Sequence, residues 1–321
     1  MAATIALVGS ESLLGKEIRE VVRERSLPVR LVYIGAEQEE AGRITEEADE
    51  AVVITALDET NLVSADAVLL AGSSESSHKA WDLLAGHRET PVIDVSRTLE
   101  DIPSARLAAP LVDTADPHHE NPSVIAHPAA IAIAMCLGRL AEFKVRRSLV
   151  EIFEPASERG QAGIDELHQQ TLKLFQFKGL PKEVYDEQLA FNLLARLGTE
   201  ANPQLEQIEQ SVERHLASLL AAGKVPMPSL RLMQAPVFHG YSFSLWVEFE
   251  TAPTKENLAM ALLAEDTAPN NAAVAGQNGI TVGDIRADRN VPRAYWIWMV
   301  ADNLRLTAEN ALQMLETVCP G

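Results

Sequence analysis

Hydrophobic positions along the chain follow two periods, and the switches between them set out the elements. Thr4 to Val8 is a short apolar run, Gly9 to Gly15 a glycine-bounded turn, Lys16 to Arg25 a helix and Val29 to Ile34 a second strand. That order is half of a βαβ nucleotide fold. Further apolar runs at Ala67 to Ala71 and Val92 to Val95 flank a helix-like stretch from Ser77 to Leu84, as a parallel sheet covered by helices requires. The pattern places the end of this domain near Pro128.

Beyond it the periods change. Ala130 to Leu140 is a helix-period apolar stretch, Ser148 to Phe153 a strand, and Ile164 to Phe175 a helix. Between Leu205 and Leu220, residues Leu205, Ile208, Val212, Leu216 and Leu219 share one helix face. Val237 to Glu250 alternates, with Phe243, Leu245, Val247 and Phe249 on one side and Ser242, Ser244 and Glu248 on the other. This is the period of a half-exposed antiparallel sheet, which often hosts a dimer interface. Trp296 and Trp298 lie in a further strand, Ala294 to Val300, and an amphipathic helix runs from Thr307 to Val318. Gly276 to Gly279 is expected to be an exposed turn.

A length of 321 residues favours two domains with a large core. The net charge of -19 opposes binding to nucleic acid phosphates and anionic lipid, so neither nucleic acid nor a membrane is an expected partner. Two cysteines, Cys136 and Cys319, are too few for a disulfide framework and fit a reducing compartment. The apolar start lacks a basic flank and stops at Gly9, too short for a signal or a membrane span. A cytoplasmic location is the expectation.

The loop Gly9-Ser-Glu-Ser-Leu-Leu-Gly15 has the outline of a phosphate cradle, in which glycines let amides at a helix N-terminus approach an anion. It could equally be a structural βα turn. Three more segments sharpen the picture: Val124-Ile-Ala-His-Pro-Ala-Ala130, Ser157-Glu-Arg-Gly-Gln-Ala-Gly163, and Val300-Ala-Asp-Asn-Leu-Arg305. With Leu189-Ala-Phe-Asn-Leu-Leu and Ala235-Pro-Val-Phe-His-Gly-Tyr-Ser242, their order resembles the aspartate-semialdehyde dehydrogenase family over essentially the whole chain, and most closely its Usg-type paralogues.

The resemblance implies a Rossmann-type domain over 1–128, completed by 305–321, and an α+β dimerisation domain over 129–304. It also implies a reaction through a cysteine thioester and hydride transfer, needing a thiolate, a base and cations for the substrate. On this chain the nucleophile's position holds Ala130 and the catalytic histidine's holds Tyr241. Gln234 stands for the arginine that grips the substrate carboxylate, and Glu100 for the one that grips phosphate. The family's acidic and basic substrate contacts fall on Leu205 and Gln207. Glu154 replaces a glutamine, and Glu158-Arg159 crowd the glycine-rich loop.

The implied cofactor residues are Gly9, Ser12, Leu14, Gly15, Glu37, Gly72, Ser73 and Asn303, with Ser12 in place of the middle glycine. Glu37 and Glu39 stand where the family binds the 2′-phosphate of NADP, so NAD is favoured over NADP. A homodimer is expected, and a heterodimer with a catalytic paralogue is a further possibility.

The expected role is a binding or regulatory protein that has lost the dehydrogenase reaction. The alternative is an NAD-dependent oxidoreductase with no cysteine nucleophile, using Tyr241 or His239, which would lie on one strand face two residues apart. Against a catalytic Cys136, free cysteine in an apolar helix is often a buried hydrophobe. Arg97 is a candidate to replace the cation lost at Glu100, with a surface ion pair as its commoner fate. His118-His119-Glu120 lacks the spacing of a metal site, so no metal is expected. The acidic run from Glu37 to Glu50 is read as a solvated face.

Overall fold

The computed structural model describes residues 2–37, 40–47, 50–112, 121–221, 223, 225–262 and 274–319. The chain forms two units: Met1–Ala126 with Thr307–Gly321, and His127–Leu306.

In the first unit the elements run β1 (Ala3–Val8), α1 (Leu13–Glu24), β2 (Val29–Ile34), β3 (Ile44–Glu47), β4 (Glu50–Val53), α2 (Glu59–Val63), β5 (Ala67–Leu70), α3 (Ser74–Leu83), β6 (Val92–Asp94), β7 (Arg106–Ala108) and β8 (Ser123–Ile125). Six of the strands make one sheet in the order β2-β1-β5-β6-β8-β7, with every pair parallel. Ile5 to Val8 and Ala67 to Leu70 are fully buried, which explains their unbroken apolar runs: a parallel strand has no wet face. Helix α1 turns Ile18 and Val21 toward the core, and Ser12 caps its start by accepting from Gly15 N at 2.9 Å.

The strand order reverses at β1, which lies between β2 and β5. In open α/β sheets ligands bind at such a switch point, outside the carboxyl ends of the strands. The loops after β1 and β5 nearly touch: a Cβ on Gly9 would stand 2.3 Å from Gly72 Cα, and one on Gly15 2.2 Å from Gly9 O. Gly9 also has φ +77. Ser12, by contrast, has φ -64, so serine replaces the middle glycine without backbone strain.

The acidic run is exposed at Glu37 and Glu46 and carries a hairpin that local pattern does not predict. Residues 44–47 and 50–53 pair as an antiparallel hairpin, held by the buried Arg19 of α1, which donates to Glu46 O at 2.8 Å and Glu11 Oε1 at 2.6 Å.

In the second unit the order is α4 (Pro128–Arg139), β9 (Val145–Glu154), α5 (Gly160–Phe175), α6 (Leu205–Leu219), β10 (Ser229–Gln234), β11 (Tyr241–Phe249), α7 (Lys255–Leu262), β12 (Thr281–Ala287) and β13 (Ala294–Ala301). The last helix, α8 (Asn303–Val318), starts in this unit and passes at Thr307 into the first. The sheet order is β10-β9-β11-β13-β12. It is mixed rather than wholly antiparallel, because β10 runs parallel to β9.

Tyr241, Phe243, Leu245, Val247 and Phe249 of β11 are all buried on one face. On the other, Trp246 pairs with Trp296 and Ser244 with Trp298 across β13. Asp288 Oδ2 accepts from the indole nitrogens of Trp246 and Trp296 at 2.8 and 3.0 Å, which fixes both rings. Backbone donation from Asn290, then the Trp246 indole, holds the Asp288 carboxyl below its ordinary range. A surface cavity of ≈ 420 Å³ borders Trp296, Trp298, Asp284 and Arg286 on this face. No helix among the described residues is long and apolar enough to cross a membrane.

Candidate functional site

Helix α4 begins at Pro128, whose missing N–H costs nothing at a first helical position. His127 caps it, its Nδ1 accepting from Ala129 N at 3.2 Å, while His127 N donates to His215 Nδ1 at 2.9 Å. Ala130 follows in the first turn and is fully buried.

Around this turn the second unit gathers a polar cluster. Tyr241, the first residue of β11, is fully buried, stacked on Phe243 at 5.5 Å and edge-on to His127 at 6.1 Å. Its hydroxyl donates to Glu154 Oε2 at 3.5 Å. Glu154 ends β9 and is itself fully buried, its backbone oxygen accepting from Gln234 Nε2 at 2.9 Å. Arg159 lies 4.0 Å from Glu154 Oε1, its side chain only 5% exposed, and donates to Pro203 O at 3.0 Å. Its guanidinium approaches the ring of Tyr185 to 5.6 Å. Burial drives the Tyr185 phenol well above its ordinary pKa, with Arg159 opposing. Arg159 Nε, Tyr185 Oη and Gln234 Oε1 are buried without a hydrogen bond.

Several expected site residues make contacts within the fold. Asn303 is buried, with Oδ1 accepting from Ser157 Oγ and Gly240 N, both at 3.1 Å, and Nδ2 donating to Glu158 Oε1 at 2.7 Å. Gln207 accepts from Gln204 N at 2.8 Å, closing a capping box on α6, and Leu205 is buried there. His239 does not share a strand face with Tyr241. It is exposed in the bend before β11, because Gly240, at φ +81, turns the chain between them.

Cys136 is sealed in the α4 interior, and burial pushes its thiol up to about 12. Such a sulfur is protonated and inert at neutral pH.

In the first unit, Glu100 follows β6 in a turn organised by Asp94, whose carboxylate accepts from Ser96 N, Ser96 Oγ and Leu99 N. Burial raises the Asp94 pKa, against those hydrogen bonds. Arg97 stands in the same turn at φ +64. Gly9, Ser12, Leu14, Gly15, Gly72 and Ser73 frame the switch point, and Ser73 caps α3. Exposed Glu37 follows β2. Glu39 and the His118-His119-Glu120 triplet lie outside the described residues, among which no His, Cys, Asp and Glu group could hold a metal ion.

A doubly wound parallel sheet with a glycine crossing at its switch point, followed by a mixed-sheet α+β unit, defines a two-domain protein of Rossmann type. Residues 137–306 match the family described as semialdehyde dehydrogenase, dimerisation domain, and the chain belongs to the aspartate-semialdehyde dehydrogenase family. It is 28% identical to an aspartate-semialdehyde dehydrogenase of Rickettsia bellii, covering 97% of this chain and 96% of that one. It is 26% identical to a USG-1 protein homolog of Pseudomonas aeruginosa, over 94% of this chain and 93% of the other. In fold it resembles the solved structure of a probable aspartate-semialdehyde dehydrogenase from Pseudomonas aeruginosa, with a TM-score of 0.85, 24% identity and 98% of both chains covered.

Proposed function

We propose that this protein no longer performs the family's thioester reaction and acts as a homodimeric binding or regulatory protein of the cytoplasm. The observation that carries the reading is Ala130: a buried methyl group stands at the helix start where the nucleophile is expected. Of the candidates for its place, Cys136 is sealed and Tyr241 is packed between two rings. The substrate side has also changed in character. Gln234 cannot form a charged bidentate pair with a carboxylate, and the buried Arg159 lies 4.0 Å from the Glu154 carboxylate.

The first unit keeps the means to hold a dinucleotide. Backbone around Gly9, Ser12, Leu14, Gly15, Gly72 and Ser73 would face the phosphates, and Glu37 would accept from a ribose diol. Bound nicotinamide would supply a hydride acceptor, for which this chain presents no thioester partner. The homodimer fits the dimerisation-domain match and the exposed tryptophan face.

NAD is expected to raise the melting temperature, and by more than NADP at equal concentration. At a hundred times Kd a specific ligand stabilises by about 2.7 kcal/mol. Equal shifts, or a larger one with NADP, would refute the preference. No shift with either would remove dinucleotide binding from the reading.

A further inference from the structure

After β2 the chain folds a carboxylate back onto its own amides. Glu40 Oε2 accepts from Ala36 N at 2.7 Å and, more weakly, from Glu37 N at 3.4 Å. Glycine at position 35 is what admits this side chain: a Cβ there would stand 2.8 Å from Glu40 Cβ and 3.2 Å from Oε2. Ala36 borders the glycine crossing, its Cβ 3.1 Å from where Gly72 would carry one. Successive backbone N–H groups turned toward one oxygen form an anion-binding concavity. This one lies at the carboxyl end of β2, beside the switch point. In folds of this type the ribose of the dinucleotide is read near there.

We propose that Glu40 is the resident anion of a phosphate-sized subsite, occupying the amides that a 2′-phosphate would need and so excluding NADP. The proposal rests on the reading that the first unit binds a dinucleotide, and adds the group that sets the choice. A phosphate monoester carries close to two negative charges. Beside Glu40 it meets both a like charge and N–H groups already taken, whereas a ribose diol needs neither. Glu40→Ala removes the charge and the acceptor together. Glu40→Gln keeps an acceptor oxygen without the charge, which separates loop support from repulsion.

The test uses wild type, E40A and E40Q in two measurements. First, protein labelled with isotope at alanine and glutamate is titrated with inorganic phosphate while the Ala36 and Glu37 amides are followed by NMR. Those resonances are expected to move in E40A, less in E40Q, and not in wild type. Second, NAD and NADP affinities are measured by calorimetry. NADP is expected to gain about tenfold or more in E40A while NAD changes by less than about threefold.

Silence of both amides toward phosphate in folded E40A, or in E40Q should E40A not fold, overturns the proposal. So does an equal gain for NAD and NADP. If phosphate binds the freed amides but neither dinucleotide binds any form, the masked subsite stands and the cofactor reading falls.

Discussion

Restoring a thiol at position 130, by Ala130→Cys, is expected to produce no measurable oxidation of aspartate semialdehyde. The position itself is tolerant, because the first turn of α4 favours a thiolate through the helix dipole. Burial works the other way, and Cys136 six residues on shows its strength, with a pKa of about 12. The base is also missing. Tyr241 is a phenol with a reference pKa of about 10, and a well-placed general base contributes about 10²–10⁴-fold.

Adding Tyr241→His to the first change addresses the base but leaves Gln234 where a cation should grip the substrate, and Arg159 turned toward Glu154. The double variant should therefore still fall about 10- to 100-fold short of an active relative assayed beside it, since hydrogen bonds to a charged group are worth about 1.5–3 kcal/mol. Turnover by A130C alone within about tenfold of that relative would mean the pocket is intact, and that the reading of it as changed is mistaken.

The second large effect concerns stability. Gly9→Ala should destabilise the protein by about 2–5 kcal/mol in the absence of any nucleotide, from left-handed strain plus overpacking. Its Cβ would meet backbone, Gly72 Cα at 2.3 Å and Gly72 N at 2.4 Å, so no side-chain rotation relieves the contact. Gly42 provides the control: it has φ +83 with nothing within 4 Å of its ideal Cβ. Gly42→Ala should cost only the strain, about 1–2 kcal/mol. Denaturant midpoints of the two variants measure the difference. Equal midpoints would mean that the loop glycine serves a ligand and not the crossing of two strands' ends.

That crossing shows how far the sequence could be read. Strands such as Ala67–Leu70, and the Ile5–Val8 part of β1, are legible because burial on both faces leaves an unbroken apolar run. The hairpin of β3 and β4 is not, since Ile44–Glu47 and Glu50–Val53 mix carboxylates with apolar residues in no clean alternation, and its anchor, Arg19, comes from a preceding helix. The order of β10 beside β9 depends on a crossover that no local pattern records.

At the site, local spacing misplaced His239, because a two-residue period holds only within a strand and Gly240 interrupts it. Identities at 130, 234 and 241 were legible from the resemblance. What they face was not: the approach of Arg159 to Glu154 and the folded-back carboxylate of Glu40 are contacts that no residue name implies.

The most direct measurement is steady-state turnover of the unmodified protein with aspartate semialdehyde, inorganic phosphate and either NAD or NADP, run beside an active relative. No reduced nicotinamide above background is the expected result. Reduction at a rate comparable to the relative's would show that some other group on this chain carries the acyl transfer, and would contradict the account.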